Sequence, residues 1–107
     1  MNKRYRVLFY RTPRGESPFE VFLNCHPEKV RNKFLWLLRL LETHGPDLKR
    51  PYADLLRDDV RELRARVGGN SYRALFYFMI EKTIIVTHAF IKKTDEVPLQ
   101  EIDRALR

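Results

Sequence analysis

The sequence predicts an α+β fold: an antiparallel, twisted β-sheet with an N-terminal helical pair and a C-terminal helix, in the order β-α-α-β-β-β-α. Three observations carry this. Residues 60–93 contain successive runs of alternating or β-branched character, broken by short turn signals. Residues 28–43 repeat apolar side chains at helical spacing. Both ends of the chain hold a short element with its own punctuation, Thr12-Pro13-Arg14-Gly15 after the first and Pro98 before the last.

Taken in order, Tyr5-Arg6-Val7-Leu8-Phe9-Tyr10 reads as the first strand. Ser17-Pro18-Phe19-Glu20 has the form of a helix start, with Ser17 as N-cap, Pro18 at the first helical position and Glu20 completing a capping box; His26-Pro27 keeps that helix short. In the second helix Val30, Phe34, Leu37, Leu38 and Leu41 form one apolar stripe, and Gly45-Pro46 stops it. Leu35, Trp36 and Leu40 widen the stripe, so this helix is expected to be covered on more than one side, with Trp36 in the core. Residues 47–59 read as a polar loop carrying Lys49, Arg50 and Arg57.

The meander follows. Val60 to Val67 ends in Gly68-Gly69-Asn70-Ser71, a hairpin turn cluster, and Tyr72 to Ile80 is separated from Thr83 to Phe90 by Glu81-Lys82. Period-2 alternation places Arg64 and Arg66 on one face of their strand and Leu63, Ala65 and Val67 on the other, which suggests one face for a core and one for a ligand. Lys92-Lys93-Thr94-Asp95-Glu96 is a charged link, and Leu99, Ile102 and Leu106 supply the apolar face of the last helix. The helices are expected to lie on one face of the sheet.

At 107 residues the chain has room for a single core, so one domain over 1–107 is expected. A composition 44% hydrophobic and 33% charged suits a compact fold and excludes an intrinsically disordered class. No apolar run approaches the roughly 20 residues that span a bilayer, and no secretory segment leads the chain, so a cytoplasmic protein without a membrane role is expected. The lone Cys25 has no disulfide partner and reads as a small helix residue. A net charge of +7 favours polyanionic partners, and the surplus is uneven, because Lys3, Arg4, Arg6, Arg11 and Arg14 open the chain with no acid among them.

The chemistry follows from what is absent and what remains. There is no phosphate-cradling glycine loop, no zinc-type histidine pair and no nucleophile elbow, and His26, His44 and His88 are far apart, so neither a metal nor a small-molecule cofactor is expected. What remains is a set of permanent cations on strand ends: Arg64, Arg66, Arg73, Lys92 and Lys93. His88 lies near them in sequence, as do Tyr72 and Tyr77, both expected to serve sheet packing. Metal-free RNA cleavage needs such a set: a base for the 2′-hydroxyl proton, cations for the charge building on the phosphorane and an acid for the leaving 5′-oxygen. Arginine suits the middle role because its fork donates to two phosphate oxygens and stays charged. His88, Glu62 or a lysine suits proton transfer. A sheet that binds nucleic acid or an acidic helix without catalysis would carry the same residues.

Glu62-Leu63-Arg64, then Tyr72-Arg73 leading Ala74-Leu75-Phe76-Tyr77-Phe78, then His88-Ala89-Phe90-Ile91-Lys92-Lys93-Thr94, then Val97-Pro98 and Glu101-Ile102 before Ala105, together resemble the phage-derived, HigB-type branch of the RelE/ParE toxin superfamily. The resemblance covers nearly the whole chain and implies a RelE-like fold. It implies the toxin of a type II toxin–antitoxin pair, an endoribonuclease cutting mRNA on ribosomes and neutralised by a helix-turn-helix antitoxin. On that basis Arg64, Arg73, Lys93, His88 and Glu62 are the catalytic candidates, and Arg66, Lys92, Lys49 and Arg50 the RNA-binding ones. Glu62 and Val60 stand where that branch carries lysines, and its C-terminal tyrosine has no counterpart, so His88 and Glu62 are candidates to replace the missing acid and base. Two other readings accompany this fold: inhibition of a protein such as DNA gyrase, and an inactive module that binds only its antitoxin.

Overall fold

The predicted meander gains a strand. The computed structural model describes residues 4–93 and 96–106, so Lys3 of the basic N-terminal run and Thr94-Asp95 of the charged link lie outside the described residues. Its elements are β1 (Arg6–Phe9), α1 (Pro18–Asn24), α2 (Glu28–His44), β2 (Ala53–Arg57), β3 (Val60–Val67), β4 (Asn70–Met79), β5 (Thr83–Lys92) and α3 (Leu99–Leu106). This is the expected α+β order with β2 added inside the expected loop. Ala53-Asp54-Leu55-Leu56-Arg57 lacks β-branched residues. Its turn into β3 is made by Asp58 and Asp59, at φ 52° and 65°, rather than by glycine, so neither strand nor turn carried its usual signal.

The sheet order is β1-β5-β4-β3-β2. The meander pairs are antiparallel, while β1 joins the far edge of the sheet parallel to β5. At the start of α1, the Ser17 hydroxyl accepts from the Glu20 amide at 3.2 Å with Pro18 in the first turn, as the punctuation implied. The Glu20 carboxylate itself turns to Arg11, at 2.8 Å. At the far end of α2, Gly45 adopts φ 53°, and a Cβ there would lie 2.3 Å from the Tyr5 ring, so both backbone conformation and close approach require glycine.

Helices cover both faces of the sheet, which corrects the one-face expectation. Phe19 of α1 and Phe34, Leu37 and Leu41 of α2 pack with Leu63, Ala65, Ala74, Phe76, Ile84 and Val86. On the opposite face Ile102 and Ala105 of α3 bury against Val60 and Leu75. The sheet has a second, smaller apolar row on that side, and only a short helix is needed to close it.

Trp36 also departs from expectation. It is 43% exposed and Leu35 is 48% exposed, because α1 and the sheet take up the Val30–Leu41 stripe and no described element covers the flank beside it. Among the described residues no helix is long and apolar enough to cross a membrane.

One irregularity in β5 decides where the polar groups point. Leu75 pairs with His88 but Phe76 pairs with Val86, so Thr87 is an extra residue in the ladder, and its hydroxyl donates to the Leu75 carbonyl at 3.3 Å. Ile84 and Val86 face α1 and α2, and beyond the bulge Ala89 does. His88, Phe90 and Lys92 are thereby moved to the α3 face.

Candidate active site

The α3 face of the meander assembles the cations. Leu63 and Ala65 are in the main core, so alternation turns Glu62, Arg64 and Arg66 to the α3 side; Ala74 and Phe76 likewise leave Arg73 and Leu75 there. In the β3–β4 ladder Arg64 lies directly opposite Arg73 and Arg66 opposite Ser71, and in the β4–β5 ladder Ser71 lies opposite Lys92. Because α3 packs over the Val60–Leu75 end, the arginine end stays open. It forms a hollow of about 230 Å³ lined by Pro51, Arg64, Ala65, Arg66, Ser71 and Arg73.

Like charges directly opposite in a sheet repel, so this ladder needs compensation. Glu62 supplies it. Its Oε1 lies 3.0 Å from Arg73 Nε and its Oε2 3.6 Å from Arg64 Nε, with the Glu62 and Arg73 side chains only 5% and 6% exposed. Arg73 Nη1 also donates to the Tyr72 carbonyl at 3.1 Å. The close contact is poorly aligned, and Glu62 Oε1 and Arg73 Nε are both left buried without a hydrogen bond.

Burial pushes the Glu62 carboxyl above the ordinary carboxylate range, against the opposing pull of Arg73, Arg64 and Lys92. Burial likewise draws the Arg73 guanidinium below its usual value, with Glu62 opposing, yet an arginine shifted from so high a starting point stays charged. The result is a basic carboxylate held behind two guanidinium groups that themselves line an open hollow. Such a set can bind a phosphodiester and accept a proton beside it.

The other sequence candidates fall in different places. Lys92 is half-buried on the same face, and its charge acts on Glu62; Lys93 is exposed just past the end of β5. Lys49 and Arg50 lie before β2, beside a neighbouring depression, and Arg50 pairs with Asp54 at 2.8 Å. Asp54 is the residue that reading by motif missed: it lies opposite Glu62, and Arg50 and Arg64 both act on it. The unread strand β2 had hidden that pairing. Tyr72 packs in the core against Phe22 and His26, and exposed Cys25 caps the end of α1.

His88 does not join the arginine hollow. It is 2% exposed beneath α3, with Nδ1 2.9 Å from the Thr87 hydroxyl and Nε2 3.0 Å from Glu101 Oε1. It borders a separate hollow of about 210 Å³ with Tyr10, Tyr77, Thr87, Arg104 and Ala105. Burial lowers its pKa, Arg104 adds to that, and Glu101 opposes it.

Fold and site define a small basic α+β protein whose sheet presents an arginine–glutamate hollow. Residues 21–107 match the family model described as phage derived protein Gp49-like (DUF891), and the chain belongs to that family, a RelE/ParE-like toxin family. Membership is compatible with a toxin of a toxin–antitoxin pair. No curated protein matches the chain.

Proposed function

We propose that this protein is the toxin of a type II toxin–antitoxin pair, of the HigB type, and that it cleaves mRNA on the ribosome without a metal ion. A single observation carries the reading: Arg64 and Arg73 occupy opposed positions on one face of the sheet, around a buried carboxylate, at the wall of an open hollow. A phosphodiester entering there meets two guanidinium forks, with Arg66 and Lys92 on the same face adding charge. Glu62, made more basic by burial, takes the proton from the 2′-hydroxyl. The freed oxygen attacks the adjacent phosphorus, Arg64 and Arg73 hold the charge that builds on the phosphorane, and the 5′-oxygen departs to leave a cyclic phosphate. Ammonium groups of Lys92 and Lys93, at the end of β5, protonate the leaving oxygen. His88 holds α3 in place. A helix-turn-helix antitoxin is the proposed neutralising partner, and the cytoplasm the proposed compartment.

Expression of the chain alone should arrest growth and shorten transcripts, and Arg73→Lys, which keeps the charge but loses the fork, should relieve both. Arrest with intact transcripts and inhibited DNA supercoiling would replace this reading with that of a gyrase inhibitor. A harmless wild-type chain that still binds its antitoxin would leave only the inactive module.

A further inference from the structure

The flank of α2 that faces solvent carries an aromatic pair that nothing so far explains. Trp36, the chain's only tryptophan, is 43% exposed and Tyr52 is 37% exposed. Their rings meet edge to face, with centroids 5.6 Å apart and planes at 76°. The Lys33 ammonium stands 4.8 Å from the Trp36 ring centroid. Leu35 is exposed beside them on α2.

The pair is tied to the arginine hollow through the backbone. The Tyr52 carbonyl accepts from the Arg64 amide at 2.8 Å, and its neighbour Pro51 lines the hollow. The hollow on one face and the two exposed rings on the other are thus joined round the β2 edge by Pro51 and Tyr52, with Lys33 at the Trp36 ring and Lys49 and Arg50 just before Pro51 in the chain. Proteins that hold single-stranded nucleic acid combine these two features, cations for the backbone and aromatic faces for the bases. A protein partner would be served by the rings alone; the cations and the link to the hollow favour a polyanion with flat faces.

We propose that Trp36 and Tyr52 are a stacking platform for bases of a single-stranded RNA whose phosphate lies between Arg64 and Arg73. The proposal rests on the phosphate-binding reading of the hollow given above. It adds a subsite that the cleavage chemistry does not need, and so extends the footprint of the substrate beyond the scissile step.

The lone tryptophan is its own reporter. The full chain is titrated with a single-stranded deoxy-oligonucleotide of about eight residues, which lacks the attacking hydroxyl and stays intact. Binding is followed by anisotropy of an end label and, in parallel, by Trp36 emission. Saturable quenching that follows the anisotropy, and shifts to weaker binding with added salt, is the expected result.

Trp36→Leu should raise Kd about tenfold, within the range that stacking of one base supplies, and Trp36→Phe should recover most of the loss. Tyr52→Leu should weaken binding in the same direction. Thermal unfolding by circular dichroism checks that the variants stay folded. Full occupancy by anisotropy with unchanged emission, or wild-type affinity in Trp36→Leu, overturns the platform. So does emission that responds to a bound protein and not to the oligonucleotide. The nuclease reading is judged separately: a wild-type chain that binds the oligonucleotide with quenching but cuts no RNA would sink that reading and keep the platform.

Discussion

Two hollows open on the same side of the sheet, one lined by His88 and the other by Arg73 with Glu62 paired behind it, and they differ in how these buried ionisable groups are satisfied. His88 has a partner at each ring nitrogen, Thr87 on one side and Glu101 on the other. Glu62 has two cations close by, yet its Oε1 and the facing Arg73 Nε lack an aligned hydrogen bond. A fully bonded polar group under a helix rigidifies the fold, whereas a buried one left short of partners keeps capacity for a ligand. On the proposed reading, this contrast gives the first hollow a structural part and the second the chemistry.

The sharpest break would come from Glu62→Gln, which keeps shape and removes the base. RNA cleavage by this variant should fall by about 10²- to 10⁴-fold, and a loss under tenfold would take proton transfer away from Glu62. Next in size, Arg73→Ala leaves the Glu62 carboxylate buried with its nearer cation gone. Chemical denaturation should then show a loss of about 3 kcal/mol, and removing both charges in Glu62→Gln/Arg73→Met should recover much of it. An unstable double variant would mean that packing around Arg73, rather than charge, carries the cost.

His88→Gln tests the other hollow. Losing the bonds to Thr87 and Glu101 should cost about 1–3 kcal/mol of stability while leaving cleavage within a few fold of wild type. A cleavage defect as deep as that of Glu62→Gln would erase the distinction between the hollows.

Their pH dependences should also have opposite signs. The His88 value lies below its ordinary 6.5, so the unfolded chain takes up the proton first, and stability is lost as pH falls below about 6.5. The Glu62 value lies above its ordinary 4.5, so its contribution is present below about 4.5 and is lost as pH rises through the raised value. Denaturant midpoints should therefore lose their fall below about pH 6.5 in His88→Gln and their fall above about pH 4.5 in Glu62→Gln. The smallest effect belongs to the rim: Arg66→Ala should reduce the dependence of log Kd for RNA on log salt by roughly one, with little change in stability.

The fold was legible where local signals and tertiary demand agree. The helix cap at Ser17, the stripe from Val30 to Leu41 and the turn at Gly68-Gly69 each state their own structure, and the alternation in β3 correctly separated Leu63 and Ala65 from Arg64. Strand β2 was not legible, because an edge strand closed by an Asp58-Asp59 turn shows neither β-branched residues nor glycine. Trp36 was misplaced for a related reason: periodicity shows that a helix has a wide apolar sector but not how much of it other elements are available to cover.

The chain's residues by themselves determined its surplus of cations, its elements other than β2 and the family pattern of Glu62, Arg64 and Arg73. Tertiary structure alone decided which of these groups meet. Register between strands set Arg64 opposite Arg73, and one extra residue at Thr87 reversed the facing of everything after it in β5. The seating of α3 then buried His88 and left Arg64 and Arg73, with Glu62 paired behind them, beside open space. A side chain's face is fixed by counting along a strand, but a single bulge resets the count, and that reset arises from pairing with a distant segment, which local sequence does not encode.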